Sequence, residues 1–102
     1  MMRAGVAPYR LYQVGFRWVH SDSAAKVAEL DGVFGGIGDW LRYNPLTWFI
    51  WTQQNPDQIY ETVRTHMHPD DTVLIVNVDP NGCRGWAPKW VWDWFGARIN
   101  KP

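Results

Sequence analysis

Apolar and polar positions alternate from Arg10 to Trp18, where Leu11, Tyr12, Val14, Phe16 and Trp18 carry the apolar character. This spacing predicts a first strand. Two aromatic and β-branched runs follow at residues 39–43 and 46–53, separated by the turn-forming pair Asn44-Pro45. They predict a hairpin whose two faces alternate along the chain, with Trp48, Ile50 and Thr52 on one face and Phe49, Trp51 and Gln53 on the other.

Helix signals separate these strands. Ser21, Asp22 and Ser23 are residue types that cap helices, and good helix formers fill residues 24–30 before a glycine-rich stretch at 32–38 ends the predicted helix. The sequence Asn55-Pro56-Asp57-Gln58 combines a cap, a proline in the first turn and a glutamine at N3. It predicts a second helix that places Ile59, Val63 and Met67 in one apolar stripe and ends before Pro69.

The last predicted strand, residues 72–79, is apolar on both faces. Val73 and Ile75 point one way, and Leu74, Val76 and Val78 point the other way. Such a strand is expected to be buried on both sides. After the turn at Asn81-Gly82 the chain becomes rich in tryptophan, and a short helix is expected from Pro88 to Gly96, with Trp90 and Trp94 on one of its faces.

The order strand, helix, strand, strand, helix, strand predicts an α+β fold, the ferredoxin-like βαββαβ arrangement, with an added C-terminal Trp-rich segment. The predicted organisation is a single domain over residues 1–102, with an arm at 1–9, a core at 10–80 and the Trp-rich segment at 81–102. Both helices of this fold cover the same face of the sheet. The other face therefore needs either the Trp-rich segment or a second copy of the chain, and a homodimer packed sheet against sheet satisfies the pattern.

Composition narrows the class of protein. The 102 residues contain ten basic and ten acidic side chains, so the chain has no net charge to attract nucleic acid or a membrane as a whole. The bases are nevertheless concentrated at both ends, and the acids in the middle. Cys83 is the only cysteine, which excludes an intrachain disulfide and suits a cytoplasmic location. No stretch has the apolar length of a signal peptide or a membrane span, so no membrane partner is expected.

Eight tryptophans make the composition unusual. Tryptophan and arginine are enriched at contact hot spots, and both stack on nucleobases. Because the first and last strands of this fold are neighbours, the two basic ends are expected to meet. The candidate residues for binding nucleic acid or a protein partner are Arg10, Arg17, Arg84, Trp86, Lys89 and Arg98. The residues expected in the core or in a dimer interface are Trp48, Trp51, Val76, Trp90 and Trp94.

One cluster has the residue types of a metal site: His66-Met67-His68 followed by Asp70 and Asp71. On a helix His66 and His68 would point about 200° apart, so this cluster is interpreted as structural and no metal or cofactor is expected. The sequence His20-Ser21-Asp22-Ser23 contains hydrolase residue types, but a catalytic triad is assembled from separated segments. Helix capping accounts for these residues better.

Four segments carry a resemblance to a known family: Gly38-Asp39-Trp40-Leu41-Arg42-Tyr43-Asn44-Pro45 continuing to Ile50, the helix at 55–67, residues 66–71, and Gly85-Trp86-x-Pro88-Lys89-x-x-Trp92-Asp93-Trp94. They resemble the SinR-like family, small bacterial and phage proteins related to the small dimeric integration-complex subunit of CRISPR adaptation. The resemblance implies a ferredoxin-like homodimer with a link to nucleic acid, phage defence or mobile elements.

The chain departs from the nucleases of that wider superfamily, which place an aspartate near the end of the first strand. The matching position here is Arg17, a cation that would repel Mg²⁺ rather than bind it. The sequence therefore predicts a non-catalytic homodimeric binding or assembly protein. Two alternatives stay open: a Mg²⁺- or Mn²⁺-dependent nuclease (RNase or DNase) that uses Asp22 or Asp79, and a scaffold or inhibitor that contacts only protein.

Overall fold

The computed structural model describes residues 7–99. The elements follow in the order β1 (Arg10–Arg17), α1 (Ser23–Gly35), β2 (Asp39–Asn44), β3 (Thr47–Thr52), α2 (Pro56–Arg64), β4 (Thr72–Asn77), a 3₁₀ turn (Pro80–Gly82) and α3 (Lys89–Ile99). Most of the predicted arm and the end of the Trp-rich segment, including the basic residues Arg3 and Lys101, lie outside the described residues.

The four strands form one antiparallel sheet in the order β2-β3-β1-β4. With α1 and α2 in the two crossovers, this is the ferredoxin-like βαββαβ arrangement, and the predicted fold class is confirmed. Tyr12 on β1 pairs with Ile50 on β3 and with Asn77 on β4. The first and last strands are therefore neighbours, as the fold requires.

The main core lies between α1, α2 and the face of the sheet that we call the first face. It contains the predicted hairpin face and the apolar stripe of α2, and its buried members are Tyr12, Val14, Phe16, Leu30, Phe34, Trp48, Ile50, Ile59 and Val63. The indole nitrogen of Trp48 donates a hydrogen bond to the Asp31 carboxylate at 2.8 Å, which satisfies the one polar atom of this buried ring. The predicted capping box at Asn55 and Gln58 is also present and begins α2.

Helices α1 and α2 both differ in length from the prediction. α1 continues through Gly32 to Gly35, because Leu30 and Phe34 lie one turn apart and are both fully buried against the sheet. Tertiary packing there exceeds the modest helix penalty of a glycine. α2 ends earlier than predicted, at Arg64, although Met67 still packs against the core from the following turn.

The second face of the sheet is covered in part by α3 of the same chain. Val91 and Phe95 on α3 are buried against Leu11 and Leu41, and further aromatic side chains pack around them, among them Phe49, Trp51, Trp92 and Trp94. Trp90 and Trp94 lie one turn apart on α3, as the sequence predicts, but the stripe that is buried is Val91–Phe95, and Trp90 points outward with 58% of its surface exposed. Gly96 does not end the helix, which continues to Ile99 because Phe95 anchors this turn.

β4 is not buried on both faces within one chain, contrary to the sequence prediction. Val73 and Ile75 pack against the main core on the first face. On the second face α3 reaches β2, β3 and the start of β1, and Leu74 and Val76 remain 70% and 42% exposed. The remaining apolar residue of this face, Val78, packs with the α3 cluster. Among residues 7–99 no helix has the length and apolar character needed to cross a membrane.

Candidate binding surface

Trp86 is the most exposed large apolar side chain of the described residues, with 96% of its surface accessible. It lies in the extended segment between the 3₁₀ turn and α3. This segment borders a cavity of about 180 Å³, which we call the Trp86 cavity. The residues that line this cavity are mostly aromatic, and Arg84 is the cation among them. The lining consists of Tyr43, Phe49, Arg84, Gly85, Trp86, Ala87, Val91, Trp92 and Phe95. The second face thus carries an aromatic recess with Arg84 at its border.

The other predicted basic residues do not gather at one patch. Arg10 and Arg17 stand at opposite ends of the eight-residue strand β1, roughly 23 Å apart at about 3.3 Å per residue. Both are exposed, and within residues 7–99 neither of them forms an ion pair, nor does Arg84. The pairing of β1 with β4 therefore does not bring all the bases together, because the strand itself holds two of them apart.

Two candidate cations are engaged inside the chain. The Arg98 guanidinium pairs with the Asp39 carboxylate, lies 4.3 Å from the ring centroid of Trp94, and donates to the Trp94 carbonyl at 3.2 Å. Burial lowers the pKa of Arg98. Lys89 donates to Asp93 at 2.8 Å, one helical turn away. Arg98 thus ties α3 to the start of β2, and its role in binding a partner stays a prediction.

Gly15, Leu74 and Val76 form an exposed apolar patch on the second face, which we call the uncovered strip. Gly15 is paired with Leu74 across β1 and β4, and a Cβ atom added at Gly15 would meet no atom within 4 Å outside its chain neighbours. An open groove of about 820 Å³ runs past this end of the sheet, bordered by Arg17, Leu46 and Leu74 among other residues. Of the residues expected in the core or a dimer interface, Trp48 is in the main core, and Val76 and Trp90 are exposed. Trp51 on β3 and Trp94 on α3 both pack against the buried cluster between α3 and the second face.

The two acids of the nuclease alternative lie far apart. Asp22 caps α1 by accepting a hydrogen bond from the Ala24 backbone nitrogen at 3.1 Å, and it follows the end of β1. Asp79 caps the 3₁₀ turn by accepting from the Asn81 backbone nitrogen at 2.9 Å. Its neighbour Val78 is hydrogen-bonded to Leu11 at the start of β1. One chain therefore does not bring Asp22 and Asp79 to a common metal.

The two histidines between α2 and β4 contact different parts of the chain. His66 contacts Glu29 on α1, with Nδ1 2.6 Å from the carboxylate. Burial would raise the pKa of Glu29, but hydrogen bonds from His66 and Lys26 outweigh it and the pKa is lowered. His68 has a different contact: its ring lies against that of His20, with the ring centroids 4.1 Å apart. Both histidines follow the end of α2 at Arg64, so the helical spacing that predicts their divergence does not apply.

Asp71 is the buried carboxylate of this segment, with 7% of its surface exposed. It accepts hydrogen bonds from the backbone nitrogens of Val19 at 2.7 Å and His68 at 2.8 Å. The bond from Val19 is the main reason that the pKa of Asp71 is lowered, since backbone donors stabilise the ionised form. Asp71 thereby joins the chain that leaves β1 to the chain that enters β4.

No family model, curated protein or solved structure matches the chain. The candidate surface therefore rests on its geometry. Sequence reasoning identified Arg84 and Trp86 but missed Tyr43 and Phe49 as lining residues, and missed Gly15 beneath the uncovered strip. A signal for Gly15 was available, because a glycine inside an otherwise apolar strand often marks a close approach by another group.

Proposed function

We propose that the protein is a non-catalytic homodimeric binding or assembly protein that contacts single-stranded nucleic acid at the Trp86 cavity. The observation that carries the proposal is Trp86 itself, an almost fully exposed indole beside Arg84 and an aromatic recess. An indole exposed in this way beside an aromatic recess leaves its ring face free, and a free ring face is what a stacking ligand needs.

Single-stranded nucleic acid fits this arrangement chemically. Nucleobases stack on aromatic side chains with about 1–3 kcal/mol per base, and cations beside the aromatic platform contact the phosphates. Trp86 offers the platform and Arg84 offers a cation that forms no ion pair within residues 7–99. A duplex would keep its bases stacked inside the helix, so an unpaired strand is the better ligand.

The dimer is supported by the uncovered strip. A strand that is apolar on both faces but exposed on one of them has the composition of an interface. The net charge of zero means that two copies do not repel each other strongly. We therefore propose that the occupant of the strip is the same strip of a second copy, packed face to face around a two-fold axis.

Binding is tested with fluorescently labelled single-stranded oligonucleotides, one of deoxythymidine and one of uridine, in an anisotropy titration over several salt concentrations. Trp86→Ala is expected to weaken binding about 5- to 150-fold, the equivalent of one lost stacking contact. Arg84→Ala is expected to weaken binding and to reduce the slope of log affinity against log salt by about 0.7, the value for one phosphate contact on a single strand.

Tyr60→Ala and Arg64→Ala are matched controls, because both residues are exposed on α2, which packs on the opposite face of the sheet. Neither is expected to change the affinity. If neither oligonucleotide binds at low salt, the nucleic-acid proposal is wrong, and a protein partner for Trp86 becomes the favoured explanation. Cleavage of either oligonucleotide with Mg²⁺ or Mn²⁺, abolished by EDTA and by Asp22→Ala or Asp79→Ala, would instead support the nuclease alternative.

The SinR-like resemblance adds a biological context to the proposed function. Its quoted segments include Trp86 and the hairpin that carries Tyr43 and Phe49, so the resemblance covers the same cavity. A role in phage defence or in mobile-element biology is part of this proposal, as is a cytoplasmic location, which a single half-buried cysteine suits.

A further inference from the structure

Two loops of the chain meet at one end of the sheet. Arg17 at the end of β1 is paired with Thr72 at the start of β4. The loop that leaves β1 and the loop that enters β4 therefore run side by side. His20 comes from the first loop, and His68 and Asp70 come from the second, about fifty residues away in sequence.

The three side chains converge at this point. Nε2 of His20 lies 2.7 Å from Oδ2 of Asp70, and Nδ1 of His68 lies 3.8 Å from the same oxygen. The centroids of the two imidazole rings are 4.1 Å apart. Each residue offers one ligand atom, and all three atoms lie within 4.8 Å of one another.

These separations suit one small ion. Ligand atoms at about 2.0–2.1 Å from a tetrahedral zinc ion stand roughly 3.3 Å from each other. The observed distances lie on both sides of that value, so small side-chain rotations bring all three atoms to a common centre. All three residues are exposed, which leaves the route for an ion open and the remaining coordination positions to water.

The backbone beneath the cluster is held in place. The buried Asp71 carboxylate accepts a hydrogen bond from Val19, next to His20, and another from the backbone nitrogen of His68 itself. One side chain thus fixes both loops, and the ligand residues begin from adjacent, anchored backbone positions. Such preorganisation is what separates a metal site from surface side chains that happen to be close.

We propose that His20, His68 and Asp70 form a binding site for a zinc-like divalent cation. Two imidazoles and one carboxylate are ligands that Zn²⁺ and Co²⁺ accept readily, whereas Mg²⁺ and Ca²⁺ favour sites made of oxygen atoms. The site shares no residue with the Trp86 cavity and is independent of the proposed function. A bound ion would lock the loop before α1 to the loop before β4.

The sequence predicts no metal at the cluster of His66, His68, Asp70 and Asp71, because the two histidines would diverge on a helix. Both histidines instead follow the end of α2, and His66 contacts Glu29. His20 replaces it as the partner of His68, a pairing that no local spacing reveals. His66 thereby becomes a control within the same chain, a third histidine that stands outside the cluster.

The test is a titration of the full chain, freed of any histidine tag, with Zn²⁺ in a calorimeter and with Co²⁺ by visible absorption. The wild type is expected to bind one ion per chain. His20→Ala and His68→Ala are each expected to weaken binding by about tenfold or more, with a smaller loss for Asp70→Asn. His66→Ala and Cys83→Ser are expected to bind like the wild type.

The proposal is overturned if the wild type binds neither ion, if His20→Ala and His68→Ala bind as tightly as the wild type, or if His66→Ala loses as much as they do. Nuclear magnetic resonance of the unmodified chain provides a second measurement that needs no variant. Addition of Zn²⁺ is expected to shift the ring signals of His20 and His68 and leave those of His66 in place. Unmoved signals for all three rings contradict the site.

Discussion

Gly15 on β1 and Leu74 on β4 are paired across the antiparallel ladder, and the glycine offers no side chain to cover the leucine. Leu74 consequently extends from the sheet with most of its surface in water. A Cβ atom at Gly15 would also have open space around it, so the surface beside Leu74 is free of other side chains at this point. This pair is the centre of the uncovered strip, and it connects the strand pattern in the sequence to the proposed dimer.

The Leu74→Glu substitution distinguishes an effect on the folding stability of one chain from an effect on the association of two chains. Because the side chain is exposed in the single chain, we expect Leu74→Glu to change the free energy of unfolding of the monomer by no more than about 0.5 kcal/mol. In the dimer it would bury two like charges near the two-fold axis, so association is lost. Urea denaturation at low protein concentration checks the first statement, and size-exclusion chromatography checks the second. A dimeric Leu74→Glu protein would contradict the assignment of the strip.

The same substitution at two tryptophans contrasts a buried site with an exposed one. Trp48→Phe removes the hydrogen bond to Asp31 and part of a fully buried ring, and is expected to lower the free energy of unfolding by about 1.5–3 kcal/mol. Trp86→Phe, at an exposed position, is expected to change it by about 0.5 kcal/mol or less. Urea denaturation monitored by circular dichroism measures both. Equal losses would show that Trp86 packs in solution.

Alanine substitutions at Gly32 and at Gly38 are expected to change the free energy of unfolding in opposite directions. At Gly38, just before β2, an added Cβ would clash with the Trp51 carbonyl oxygen, so Gly38→Ala is expected to cost about 1–3 kcal/mol. At Gly32, inside α1, the added Cβ meets nothing within 4 Å, and Gly32→Ala is expected to stabilise by about 0.5–1 kcal/mol. Thermal unfolding orders the three proteins. A stabilised Gly38→Ala variant would contradict the close approach.

Asp71 predicts a particular dependence of stability on pH. Its native pKa lies below the ordinary aspartate value of 3.8, so its contribution to stability is complete above that value and is lost as the pH falls through it towards the native pKa. Asp71→Asn is expected to be less stable at neutral pH and to lose less on acidification than the wild type. The exposed Asp93→Asn variant is the control, and it is expected to keep the wild-type acid sensitivity. Denaturation midpoints from pH 6 to pH 2.5 provide the comparison, and parallel curves for the wild type and Asp71→Asn would contradict the role of the carboxylate.

Local patterns in the sequence predicted the sheet because each strand carries its own signal. The alternation in β3 assigned both faces correctly, and the capping box at Asn55 placed the start of α2. The ends of the helices were predicted less accurately, because Gly32 and Gly96 look like helix stop signals when only the neighbouring residues are considered. Burial of Phe34 and Phe95, which depends on distant strands, extends both helices past those glycines.

The candidate sites were only partly predictable for the same reason. Arg84 and Trp86 were identified by residue type, but the aromatic recess depends on α3 folding back over β2 and β3. His20 and Asp70 are fifty positions apart, and only the pairing of β1 with β4 brings them into contact. Leu74 is exposed because α3 does not extend over β4, and the sequence pattern of β4 alone cannot predict how far α3 extends.

Sedimentation equilibrium of the wild type and of Leu74→Glu shows whether the uncovered strip joins two copies of the chain. We expect a wild-type mass of twice the 11.9 kDa chain at micromolar concentration and a single-chain mass for Leu74→Glu. A wild type that sediments as a single 11.9 kDa chain up to millimolar concentration would contradict it.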